Sequence, residues 1–193
     1  MTRTAAHAIE SMFLERCSRR AMSGEALPHA ELMRLFEAAR WAPSWGNSQP
    51  WQLVWSARDT DAFDALLATL DEGNRVWVER AAALVLVCST KTSLRPGKEP
   101  KPLPTHAFDT GAAWMALALQ GAAMKLVVHA MGGFDHDAAR AVCAVPEQLE
   151  VQCVVAIGLP GAIELLPEAQ RAKEQANDRD PIEAHLHQGR FTG

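Results

Sequence analysis

What this chain lacks narrows it first. Its four cysteines, Cys17, Cys88, Cys143 and Cys153, are widely spaced and form no CxxC pair. A disulfide or zinc scaffold is therefore not expected, and a reducing cytoplasm fits. Neither GxGxxG nor GxxxxGK(S/T) occurs, so Rossmann and P-loop readings lack their fingerprints. There is no basic excess: 19 Lys and Arg stand against 23 Asp and Glu, a net charge of −4. That argues against nucleic acid as a partner. The opening MTRTAAHAIESM has no long apolar stretch, so no signal peptide is expected. The longest apolar run, Gly111 to Met124, has Gln120 as its one clearly polar residue. It falls short of the roughly 20 residues that span a bilayer, so a membrane partner is not expected either. It reads as a central helix buried on nearly all sides, with a partner subunit covering one face. The sequence offers no convincing triad, no paired catalytic carboxylates, no metal set and no internal repeat. His185 and His187 form an HxH without a cysteine or acidic partner at ligand spacing, and read as a surface pair. Cys17 is flanked by arginines that would lower its pKa, but with no resolving cysteine nearby it reads as structural.

What is present fits one soluble domain spanning 1–193, with 162–193 as a C-terminal arm. The apolar share is 48%, ordinary for such a protein. A chain of this length can bury roughly 70% of its unfolded surface without staples. The periodicity predicts a first helix from Ala5 to Glu15 and a second opened by Pro28, with Leu32, Leu35, Phe36 and Ala39 on one face. Trp51 to Trp55 is a strand, Asp59 to Leu70 a third helix, and Asn74 to Arg80 a short fourth. Ala83 to Cys88 is a continuous apolar run typical of a central strand. Lys91 to Pro104, with four prolines and four lysines or arginines, reads as a loop, either a lid or a plain solvated connection. Thr105 or Asp109 can cap the apolar helix that follows. A strand from Leu126, a short helix from Asp135 to Cys143 and a last strand from Val151 to Ile157 complete the reading. The fold class is α+β, a small sheet of three or four strands flanked by helices.

Two clusters carry candidate chemistry. Arg16, Arg19 and Arg20 end the first helix with Ser18 among them. Cations complement a helix C-terminus, worth at most about 1 kcal/mol each, but three arginines in five residues exceed that need. Arginine is favoured where a planar fork grips phosphate, and Ser18 adds a hydroxyl donor. The second cluster is the loop Ala42 to Trp51, stiffened by Pro43 and Pro50 and carrying Trp45, Asn47 and Gln49. Its carboxamides offer both donors and acceptors, matching the edge of a planar heterocycle. They could equally close loop backbone bonds.

Taken together, these segments resemble the FMN-dependent nitroreductase family. The resemblance rests on Arg16-Cys17-Ser18, on Ala38-Ala39-Arg40-Trp41-Ala42-Pro43-Ser44, and on Asn47-Ser48-Gln49-Pro50-Trp51. It continues in His129-Ala130-Met131-Gly132-Gly133-Phe134-Asp135, in Val154 to Pro160, and in Asp178-Arg179-Asp180-Pro181. The motifs fall in the family's order along the chain. The resemblance implies a nitroreductase-like sandwich built as an intertwined homodimer, with FMN at the interface and the C-terminal arm wrapping the partner. Arg16, Ser18 and the Cys17 backbone would hold the ribityl phosphate and pyrimidine edge, with Arg20 nearby and Arg179 adding a phosphate contact. Asn47 and Gln49 would face the flavin of the other subunit, and Trp45 would either cover the flavin face or pack in the dimer. His129, Met131, Gly132 and Gly133 would lie against the ring, the glycines allowing close backbone approach. The chain departs from the family pattern at Cys17, where a basic residue is usual, and at Lys125, where glycine is frequent. The stretch from Leu70 to Pro104 also lacks a large inserted excursion.

The resemblance further implies an enzyme in which NADH or NADPH reduces the flavin at N5 and leaves. A nitro-compound, quinone or similar small electrophile then takes its place, in ping-pong fashion, and no catalytic side chain is obligatory. The alternatives are an FMN-binding sensor or interaction flavoprotein without efficient turnover, and a non-flavin α-rich dimer.

Overall fold

The computed structural model describes residues 3–93 and 99–191. Four antiparallel strands form the central sheet: β1 (Trp51–Ala57), β2 (Ala83–Thr90), β5 (Val127–Met131) and β6 (Leu149–Gly158), in the order β1-β2-β6-β5. Helices cover both faces, giving the α+β sandwich the sequence pattern implied. Alternation decides which residue faces which layer. Leu84, Leu86, Val127, Met131, Val154 and Ala156 face one way. They meet α3 (Asp61–Ala68), α4 (Glu72–Val78) and α6 (His136–Val142) through Phe63, Leu66, Trp77, Val78 and Ala139. Val85, Val87, Val128, Val155 and Ile157 face the other way, onto α2 (His29–Arg40) and α5 (His106–Ala123). Strands β2 and β6 are buried along most of their length, hence their uninterrupted apolar runs.

Local rules account for the element ends. Thr60 caps α3 by accepting from the Phe63 N–H, and Asp135 caps α6 by accepting from the Ala138 N–H. Thr105 occupies the cap position of α5, without a side-chain cap bond, and Asp109 lies inside the helix. At the other end of α5, Lys125 adopts φ +58°. Its N–H bonds to the Ala122 carbonyl and that of Leu126 to Gly121, the paired bonds of a Schellman turn. The turn is therefore the left-handed one for which glycine is the usual residue.

Two segments differ from expectation. The first helix shrinks to α1 (Met12–Glu15). Ile9 and Phe13 are about half exposed, at 53% and 48%, so the predicted apolar face is only partly covered within the chain, and a short, weakly supported helix is marginal. The stretch read as a loop from 91 to 104 begins and ends as a small hairpin, β3 (Thr92–Ser93) pairing with β4 (Lys101–Pro102). The lid reading concerns residues that lie partly outside those described. After β6 the chain runs through a 3-10 turn at Ile163–Leu165, α7 (Glu168–Arg171), and further 3-10 turns at Ala172–Glu174 and Ile182–His185. Among the described residues no helix is long and apolar enough to cross a membrane, and no group of three or more His, Cys, Asp or Glu side chains could hold a metal ion.

Candidate functional site

Residues 16–20 leave α1 without regular structure, so their peptide groups need partners from elsewhere. Arg3 donates to the Leu14 and Arg16 carbonyls at 3.2 and 2.6 Å. It also reaches the Asn177 carbonyl and carboxamide at 2.9 and 3.0 Å. His129 Nδ1 lies 2.8 Å from the Arg19 carbonyl and so donates to it. The Glu174 carboxylate accepts from the N–H groups of Arg20 and Ala21. A bridge between Met22 and Pro160 then ties the segment to the end of β6.

Other cations stand close to Arg16. Arg16 is pushed below its ordinary value, first by burial and then by the positive charges of Arg3 and Arg179, with Cys17 acting in the opposite sense. Three guanidinium groups thus converge. Among the described residues none of Arg3, Arg16, Arg20 or Arg179 forms an ion pair. Arg16 donates to Ser18 Oγ at 3.2 Å, which leaves the Ser18 O–H free to donate. Arg179 donates to the Asn177 carboxamide at 3.0 Å. A cavity of about 670 Å³ opens beside Arg3, Arg16 and Arg179, with Met115 of α5 and the acidic residues Asp178, Asp180 and Glu183 also in its wall. Such an arrangement is suited to a multivalent oxyanion.

Other expected site residues are placed as follows. The Arg20 guanidinium lies 5.9 Å from the Trp77 ring centroid and donates to the Lys173 carbonyl at 2.9 Å. His129 is buried against Trp77, with ring centroids 4.8 Å apart, and burial pushes its pKa down. Met131 is buried in the sheet core. A Cβ at Gly132 would meet nothing within 4 Å, so that backbone is open to an incoming group. A Cβ at Gly133 would come within 2.7 Å of the Asp71 carboxylate and 2.8 Å of the Asn74 carboxamide. Packing against α4 thus explains that glycine without any ligand. Cys17 Sγ accepts from Arg3 at 3.8 Å. His185 lies 3.9 Å from the Asp180 carboxylate, while the His187 ring meets that of Phe191 at a tilt, with centroids 4.3 Å apart.

The loop from Ser44 to Gln49 is a separate unit. Gly46, Asn47 and Gln49 have φ of +56°, +55° and +48°, left-handed values that glycine and asparagine adopt most readily and glutamine seldom does. Such backbone persists where surroundings over-determine it. Gln49 donates its N–H to Ser44 Oγ and its side-chain amide to the Asn47 carbonyl, so it closes the loop. The Asn47 carboxamide makes no hydrogen bond among the described residues and stays exposed, as does the Trp45 ring at 55%. Asp109, buried in α5, accepts from the Trp45 N–H and the Thr105 hydroxyl, both at 3.0 Å. No hydrogen bond among the described residues joins this loop to residues 16–20. Arg3 and Glu174 were missed in the sequence, and Asp109 was read there only as a candidate helix cap. A lone charge distant along the chain gives no signal, although an Asp within an apolar helix is itself a sign of a buried partner.

The chain matches the family model described as "Nitroreductase family" over residues 14–70 and 55–159. An uncharacterized 15.4 kDa protein from the ask 5′ region of Mycolicibacterium smegmatis is 31% identical over 133 residues, 69% of this chain and 84% of that protein. The crystal structure of an oxidoreductase containing FMN is 34% identical, with a TM-score of 0.94 over 99% of this chain and 96% of that one. A structure presented as a nitroreductase in complex with FMN, from Desulfovibrio desulfuricans, shares the fold at a TM-score of 0.72 and 21% identity, over 94% of this chain and 96% of that one.

Proposed function

This chain belongs to the nitroreductase family, and from that premise we propose that it is an FMN-dependent oxidoreductase. In this reading it draws electrons from NADH or NADPH and delivers them to a nitro-compound, a quinone or a related small electrophile. The observation that carries the reading is the convergence of Arg3, Arg16 and Arg179 on one cavity beside the Ser18 hydroxyl, none of the three held in an ion pair among the described residues. A flavin phosphate fits that donor set. Backbone open at Gly132 fits the approach of a planar ring.

Arg16, Ser18 and Arg179 would bind the phosphate. Bound FMN would supply the two-electron chemistry. Arg20 is engaged with Trp77 and Lys173, which leaves Arg16 and Arg179 as the phosphate's cations. Asn47, with an unengaged carboxamide on a strained loop, would serve the flavin of a second subunit. Support for a homodimer comes from the apolar groups that the single chain leaves exposed, Phe108 at 80%, Phe13 at 48% and Ile9 at 53%. A cytoplasmic location accords with the free thiols.

A visible spectrum tests the proposal. The purified protein is expected to be yellow, to bleach anaerobically with NADH or NADPH, and to recolour with a nitroarene. A colourless protein that ignores added FMN contradicts it. A yellow one that neither nicotinamide bleaches leaves a flavoprotein without turnover.

A further inference from the structure

Glu174 stands out in the frame around residues 16–21. Its Oε2 accepts from the Arg20 N–H at 2.8 Å and its Oε1 from the Ala21 N–H at 3.1 Å. The neighbouring Lys173 carbonyl accepts from the Arg20 guanidinium at 2.9 Å. Two adjacent residues of the C-terminal arm therefore grip Arg20 by backbone and side chain together. Hydrogen bonds to a carboxylate are stronger than neutral ones. Those two N–H groups, having no regular structure of their own, would otherwise lack partners. Consecutive N–H groups are also natural anion donors. Filling them with an internal carboxylate leaves Arg16 and Ser18 as the donors available to an external anion, which fixes where along the segment phosphate can sit.

We propose that Glu174 is a positioning residue for the cofactor. By holding the peptide groups of Arg20 and Ala21, it keeps the Arg16–Ser18 cradle in its phosphate-binding shape, and the C-terminal arm thereby sets flavin affinity. The inference rests on reading that cradle as the FMN site. Glu174 itself does not touch the ligand.

The test is an FMN titration of the apo-protein, followed by flavin fluorescence, for wild type, Glu174→Gln, Glu174→Asp and Gln170→Ala. Glu174→Gln puts an amide against an N–H donor and is expected to weaken FMN binding about tenfold, the effect of roughly one charge-assisted bond. Glu174→Asp recovers part of that loss. Gln170→Ala unties the same arm from the Gly73 carbonyl, a 3.0 Å bond, and lowers the melting temperature with FMN affinity unchanged. Equal affinity for wild type and Glu174→Gln overturns the inference, as does an equal loss in Gln170→Ala. The flavin-free amide NMR shifts of Arg20 and Ala21 are expected to move in Glu174→Gln, and fixed shifts overturn the frame whatever FMN does. A wild type that binds no FMN overturns the proposed function, and the inference with it.

Discussion

Gly161 is where the basic segment is fastened to the sheet, and Gly161→Ala tests that fastening. A Cβ at this position would stand 2.5 Å from the Met22 carbonyl carbon, 2.6 Å from its oxygen and 2.8 Å from the Ser23 nitrogen. All three are backbone atoms, so no rotamer change relieves the contact. The two segments must part by about 1 Å to reach ordinary carbon separations. Parting breaks the Ser23 N–H bond to Leu159 and the Gly161 N–H bond to Ala21, both 3.0 Å. Two such bonds amount to about 2 kcal/mol, and partial exposure of Met22, which is 0% exposed, adds about 1–2 kcal/mol. The sum, about 3–4 kcal/mol, is a large share of the 5–15 kcal/mol typical of a whole domain. For a chain of 193 residues it corresponds to a melting temperature lower by roughly 6–16 °C. Thermal melts followed by circular dichroism measure it. Gly111→Ala is the control, because a Cβ there meets nothing within 4 Å and alanine favours the helix by about 1 kcal/mol. A Gly161→Ala melt within about 2 °C of wild type refutes the reasoning.

Three further outcomes are expected. Lys125→Gly relieves a left-handed residue at the end of α5, worth about 1 kcal/mol, and raises the melting temperature by about 2–4 °C. Asp109→Ala leaves the Trp45 N–H and the Thr105 hydroxyl without their acceptor. It costs roughly 1–3 kcal/mol in denaturant unfolding, with faster amide exchange across the Ser44–Gln49 loop. His129 is held by burial below its ordinary value of 6.5, so the unfolded chain takes up this proton first on acidification. Its contribution is whole above about pH 6.5 and is lost as the pH falls below that. Urea unfolding at about pH 7 and about pH 5.5 should show a loss that His129→Gln reduces.

The fold was legible wherever periodicity and burial agree. Val151–Ile157 and Ala83–Cys88 read as central strands because β6 and β2 are buried by helices on both faces, so their apolar runs are unbroken. The Asp135 cap was legible because capping is local. The first helix was overextended because Ile9 and Phe13 carry a helical spacing that this chain leaves about half exposed. At the site, the Arg16–Ser18 cluster and the loop near Asn47 were visible as dense local motifs. Their supports were not. Arg3 reaches Asn177 across the full length of the chain, and Glu174 reaches Arg20 nearly as far. Spacing along a sequence carries no trace of such pairings. Gly133 shows the opposite hazard, a motif glycine whose immediate reason is the packing of Asp71 and Asn74.

The central claim is that the Arg16 and Arg179 cluster is a flavin-phosphate site, and comparing FMN with riboflavin tests it most directly. The two ligands share the ring and differ by the phosphate. Equilibrium titration of the wild type should show FMN binding at least about a hundredfold more tightly, the yield of two charge-assisted contacts. Arg16→Ala should collapse that preference while riboflavin affinity stays nearly constant. Equal binding of the two flavins by the wild type, or a preference that survives Arg16→Ala, contradicts the account.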